Sequence, residues 1–103
     1  MATTVKRMFR GAASTSSTTL YTAPSTAGNR AVITSIVVAN TASTNATYSL
    51  SVGGTSIATT VTVAGNDSAV LGDIKIVMEN SETITGLASA TSVNFIISGI
   101  EIT

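Results

Sequence analysis

The stretch Arg30-Ala-Val-Ile-Thr-Ser-Ile-Val-Val-Ala-Asn40 decides the fold. Val32, Ile33, Thr34, Ile36, Val37 and Val38 are β-branched, and such side chains favour the pleated backbone of a strand over a helix. The apolar residues do not alternate with polar ones, so both faces of this strand are apolar. A strand of that kind is central and covered on both sides. Here the cover is expected from the core on one side, and from another subunit or the N-terminal segment on the other. Thr34 and Ser35 interrupt the run, and a membrane-spanning helix needs about 20 apolar residues, so no such helix is expected.

The neighbouring runs alternate with period two. Tyr48, Leu50 and Val52 face one way, and Thr47, Ser49 and Ser51 the other. Val61 and Val63 alternate with Thr60 and Thr62, and Ile74, Ile76 and Met78 with Asp73, Lys75 and Val77. Each reads as a half-buried strand, apolar inward and hydroxyl-rich outward. In the last run Val93, Phe95 and Ile97 share a face, while Ile100 and Ile102 take the opposite one. Gly99 marks that shift and suggests a β-bulge.

Turn residues separate the runs at 23–29, 40–45, 53–54, 65–67, 79–81 and 89–91. Gly53-Gly54 is the strongest hairpin signal, because both central positions accept positive φ. Strands are expected at 4–10, 18–22, 30–40, 46–52, 55–58, 60–64, 68–78, 82–87 and 92–102. No window carries a helical period. The expected fold is all-β: a single antiparallel two-sheet β-sandwich over residues 18–103, jelly-roll-like or immunoglobulin-like, preceded by an extended basic arm and linker at 1–17. The expected core is Val32, Ile36, Val38, Leu50, Val52, Val61, Val63, Leu71, Ile76, Ile84, Val93, Phe95 and Ile97.

Composition bears on function. The 103 residues include no cysteine, histidine or tryptophan, and only 10% are charged, against about 25% in an average soluble domain. Ser and Thr fill 33 positions (19 Thr, 14 Ser), and the net charge is zero. A surface with so few ionic groups tends to associate; the alternative is a monomer solvated by its hydroxyls.

The charges are also segregated. Lys6, Arg7 and Arg10 give the first ten residues +3, whereas Arg30 and Lys75 against Asp67, Asp73, Glu79, Glu82 and Glu101 leave −3 on the remainder. The arm residues Val5, Lys6, Arg7, Met8, Phe9 and Arg10 are therefore the expected partner-binding segment, with Val5, Met8 and Phe9 as apolar anchors. A solvated tail is the alternative. Three charges fall short of the 6–10 phosphate contacts of a strong DNA binder, so nucleic acid is not an expected partner. Basic residues leading into small polar ones do not make a signal peptide.

No catalytic constellation is expected. Hydroxyl nucleophiles need a base, and without histidine only Lys6 or Lys75 could serve, both in exposed patterns. Paired carboxylates could support glycoside hydrolysis, but Asp67, Glu79 and Glu82 fall in turns, and only Phe9, Tyr21, Tyr48 and Phe95 could platform a sugar. Asn66-Asp67-Ser68 offers oxygens to calcium without EF-hand spacing; a turn stabilised by its own side chain is the simpler reading. The sequons Asn45-Ala-Thr47 and Asn66-Asp-Ser68 are what chance gives at this Ser/Thr content. Catalytic, metal and cofactor sites are all expected to be absent.

Three segments carry a resemblance: Thr19-Leu-Tyr-Thr-Ala-Pro24, Ala31-Val-Ile-Thr-Ser-Ile-Val-Val-Ala-Asn-Thr41, and Glu82 through Thr103. Over about residues 6–103 the chain resembles small structural proteins of tailed bacteriophages, many of them from marine and cyanobacterial phages. The shared features are patterns of strand and turn, with no functional residues to carry over. Ile97 departs from the pattern, which leads one to expect a polar residue there. The resemblance implies a non-enzymatic virion protein, foremost a capsid decoration (cement) protein that binds the major capsid protein and copies of itself, with a trimer as one arrangement. Its alternatives are a tail, neck or fibre component, or a carbohydrate- or host-surface-binding β-sandwich module.

Overall fold

The computed structural model describes residues 2–72 and 74–103. Among the described residues nine strands account for the regular structure: β1 Thr3–Ala12, β2 Thr18–Thr22, β3 Arg30–Asn40, β4 Ala46–Val52, β5 Thr55–Val63, β6 Asp67–Leu71, β7 Ile76–Glu79, β8 Thr83–Ala88 and β9 Val93–Ile102. Among the described residues there is no helix, hence none long and apolar enough to cross a membrane. The expected position of Asp73 within a strand lies outside the described residues.

The strands form two antiparallel sheets packed face to face. The front sheet runs β1-β9-β3, and the far edge of β3 carries β6 along one half and β7 along the other. The back sheet runs β2-β8-β4-β5. The winding is that of one long hairpin. It closes at Gly53-Gly54, where β4 meets β5, and continues through β3 with β6 and β7, β2 with β8, and β1 with β9. Rolled over, the ribbon also pairs β3 with β9 and β4 with β8. This is the jelly-roll winding, not the immunoglobulin one. Both turn glycines have positive φ, 57° and 83°, the tight-turn geometry that glycine admits without strain.

The core lies between the sheets. Ile33, Ile36, Val38, Phe95 and Ile97 from the front pack against Tyr48, Leu50, Val63 and Ile84 from the back. Tyr48 and Phe95 meet edge to face across the interface, with centroids 6.2 Å apart and planes at 73°, an arrangement favoured by the ring quadrupoles. Two polar clips accompany this packing. The buried Asn40 side chain donates to the carbonyls of Thr44 (2.7 Å) and Val63 (3.3 Å) and accepts from the Ala42 amide and the Ser92 hydroxyl. At the other end of the front sheet the Tyr21 hydroxyl on β2 donates to the Glu101 carboxylate on β9. Burial first, then that hydrogen bond and the carboxylate's charge, push the Tyr21 phenol well above its ordinary pKa.

Several expectations are corrected. Residues 3–12 are not an arm outside the sandwich. They form β1, an edge strand of the chain's own front sheet paired with β9 from Thr3–Ile102 to Ala12–Asn94. The sandwich therefore starts at Thr3, not residue 18. The physical reason is that β9 would otherwise expose a ladder edge next to the core, and Met8 and Phe9 find apolar partners there. Where one strand is expected at 68–78, the described residues form two, β6 and β7, and the two strands expected at 55–58 and 60–64 are one, β5, with irregular register.

The bulge expected at Gly99 lies instead in both flanking strands. Register shifts at Arg7/Phe9 in β1 and at Ile33/Ser35 in β3, leaving Met8 and Thr34 as the extra residues. Gly99 is what makes room: a Cβ there would stand 2.1 Å from the Val32 oxygen and 2.5 Å from Met8 Cε. The β3 bulge also inverts the expected facing at its start, so Ile33 is buried and Val32 points outward. Val61, expected in the core, is 37% exposed on the edge strand β5, while Leu71 and Ile76 are half-buried. Ile97 is fully buried, so an apolar residue suits that position.

Candidate interaction surface

The outer face of the front sheet is the unusual surface of this molecule. Cross-strand pairing arranges its side chains in rows. One row is Val5–Ile100–Val32–Val77, read across β1, β9, β3 and β7. A second is Arg10–Ile96–Val37–Val70, across β1, β9, β3 and β6. Between them lies Arg7–Ser98–Ser35. Beyond the first row come Thr3–Ile102–Arg30–Glu79, where Arg30 and Glu79 form an ion pair. Val5 is 86% exposed, Val70 64%, Val77 61% and Ile96 39%. Among the described residues all nine strands belong to the two sheets, and the back sheet covers only the inner face, so no described strand covers this one.

The six residues expected to bind a partner divide between the two sides of β1. Val5, Arg7 and Arg10 are in register with the outward-facing Ile100, Ser98 and Ile96. Met8 is buried, and Phe9, opposite Ile97, packs on the core. Lys6 is exposed at the edge, opposite Gly99. Among the described residues, none of Lys6, Arg7 and Arg10 forms a salt bridge. The sequence pattern set Val77 on the outward side of its strand but did not join it with Val70 and Ile96 into one surface. Their signal was the run of apolar residues on both faces of β3, which required outward apolar neighbours as well.

Among the described residues the acids do not converge. Asp67 accepts the Ser68 amide (2.8 Å), Glu79 pairs with Arg30, Glu82 accepts the Glu79 amide (2.8 Å), and Glu101 holds Tyr21. Each of these four carboxylates has a separate partner. A shallow, open depression lined by Ala39, Asn40, Thr41, Asn66, Asp67 and Ser68 sits at the end of β3 and β6. Asp67 is its one carboxylate, and among the described residues no group of three metal-ligating side chains gathers anywhere. The four aromatic rings are all drawn into or against the core.

Comparison of the chain with protein-family models, characterised proteins and solved structures returned no match.

Proposed function

We propose that this chain is a non-enzymatic structural protein of a tailed-bacteriophage virion that decorates the capsid, where it binds the major capsid protein and copies of itself. The observation that carries this reading is the uncovered apolar outer face of the front sheet. Burying apolar area yields about 25 cal/mol per Å², and few charges need to be desolvated on a face whose two central strands, β3 and β9, bring only Arg30 to it. A module that binds only the assembled state shifts the equilibrium toward assembly by mass action. The resemblance of the strand and turn pattern to small phage structural proteins supports the virion setting.

A tail, neck or fibre position would use the same surface, and copy number separates it from the capsid. Quantitative mass spectrometry of purified particles from the source of this sequence is the test. Copies in the hundreds are expected for a capsid protein; a few dozen or fewer assign the chain to the tail or neck. Absence from the particles overturns the virion reading. The carbohydrate-binding alternative gains no support from the geometry, because the rings that could stack on a sugar face the core.

A further inference from the structure

We infer that the occupant of the front sheet's outer face is the same face of a second copy, stacked about a two-fold axis running along the strands. This deepens the proposed function and rests on its reading of that face as a buried surface.

Charge is the first reason. The two edges of the front sheet carry opposite sign. The β1 edge holds Lys6, Arg7 and Arg10, a charge of +3. The described residues of the opposite edge hold two acids (Asp67, and Glu79 paired with Arg30) against Lys75, a charge of −1. A two-fold axis along the strands lays β1 of each copy over the β6–β7 edge of the other, so the basic edge meets the acidic one twice, with Arg10 over Val70 and Thr3 over Glu79. An axis across the strands, through the Arg7–Ser98–Ser35 row, would lay β1 on β1 and set Arg7 against its own copy.

Shape and area are the second reason. With the axis along the strands, Val5 of one copy lies over Val77 of the other, and Ile100 over Val32, so the apolar row faces itself. Four strands spaced about 4.8 Å apart and about ten residues long at roughly 3.4 Å each span on the order of 600 Å² per copy. The pair would bury about 1,200 Å² in all, at the lower bound of specific interfaces. Such a dimer is reversible, and it is weakened by salt through its edges but not abolished, since the centre is apolar. The interface is isologous and closes with two copies.

Sedimentation velocity of the purified chain over a concentration series reads the association directly. We expect a monomer–dimer equilibrium, weakened at least about tenfold by Val77→Lys and by Val70→Lys. Thr62→Lys, on the exposed edge strand of the back sheet, should leave it unchanged. Val70 and Val77 are mostly exposed, so both variants should keep the wild-type melting transition, which is recorded alongside. A single-chain mass at the highest soluble concentration overturns the inference, as does a dimer or trimer indifferent to both valine variants. Incorporation of Val77→Lys into particles separates this inference from the functional reading. A monomeric wild type whose Val77→Lys variant no longer enters particles removes the second copy but keeps the docking face. Undiminished incorporation removes the docking face as well.

Discussion

The two outer faces of the sandwich share one backbone geometry and differ in chemistry. On the back sheet the outward positions are Thr47, Ser49 and Ser51 on β4, Thr83 and Thr85 on β8, and Ser56 and Thr62 on β5, with Leu87 apolar among them and Ile57 and Val61 exposed along the edge strand β5. On the front sheet the outward positions include Val32 and Val37 on β3, Ile96, Ile100 and Ile102 on β9, and Val5, Val70 and Val77 on the edges, with Arg7, Ser98 and Ser35 as a polar row between them and Arg10, Arg30 and Glu79 at the margins. Thr and Val are nearly the same size and equally suited to a strand, so folding does not require the difference. What differs is the gain from excluding water. A threonine face can remain solvated, while a valine face is stabilised by a partner.

The inner faces set the scale against which that contrast is tested. Phe95→Ala from the front sheet and Leu50→Ala from the back should each cost about 2–5 kcal/mol in a chemical melt, because both side chains are fully buried. A cost below about 1 kcal/mol for either would mean that the two sheets do not share one core, and that the front's outer face is no more peripheral than its inner one.

Gly99→Ala sharpens the comparison within the front sheet. Its added methyl collides with the Val32 carbonyl and with Met8, so it should cost at least the roughly 1–3 kcal/mol of an overpacked site. It should also loosen β1, measured as faster amide exchange across Thr3–Ala12. Unchanged exchange there would separate β1 from the bulge that seats it.

Much of this was legible in the sequence, and the failures have a common cause. The bounds of β2, β3 and β4 follow from local alternation and turn residues, as does the Gly53-Gly54 hairpin. The need for a cover on both sides of β3 was readable from Val32, Ile33, Ile36, Val37 and Val38 together. The facing of Val32 and Ile33 was not, because one extra residue at Thr34 inverts everything before it, and that bulge answers a neighbouring strand about 65 residues away. The same holds for β1. Its charges suggested an arm, while its place beside β9 depends on Met8 meeting Gly99, a contact no local pattern encodes. The interaction surface was half legible for this reason: Val5, Arg7 and Arg10 were singled out, but Val70 and Val77 join them only through pairing with β3.

A smaller effect concerns the clip between the sheets. Tyr21→Phe removes the hydrogen bond to Glu101 and should cost about 1 kcal/mol at neutral pH. The fold raises the phenol's pKa, so the neutral phenol is the form it favours. That contribution is complete below the ordinary phenol value of about 10 and is lost as pH rises through it toward the raised value. The gap between wild type and Tyr21→Phe in urea midpoint should therefore narrow from pH 8 to pH 11. A constant gap would place the effect in packing alone.

The smallest effect is on the outer faces themselves. Thr62→Lys and Val77→Lys should each change the stability of the isolated chain by no more than about 0.5 kcal/mol, since both sites are exposed. Their difference should appear only on association. A large cost of Val77→Lys to the dilute monomer would mean that the valine face already serves the fold.

The most direct measurement uses the absence of cysteine from the chain. Val77→Cys and Thr62→Cys place single thiols on matched edge strands of the two outer faces, and a maleimide probe reads their accessibility in dilute and in assembled protein. Both thiols should react alike in the dilute chain. In the assembled state the thiol at position 77 should be protected at least about tenfold while that at 62 keeps reacting, because the front face is the one that is buried. Equal labelling of the two in the assembled protein, or protection of 62 instead, would contradict it.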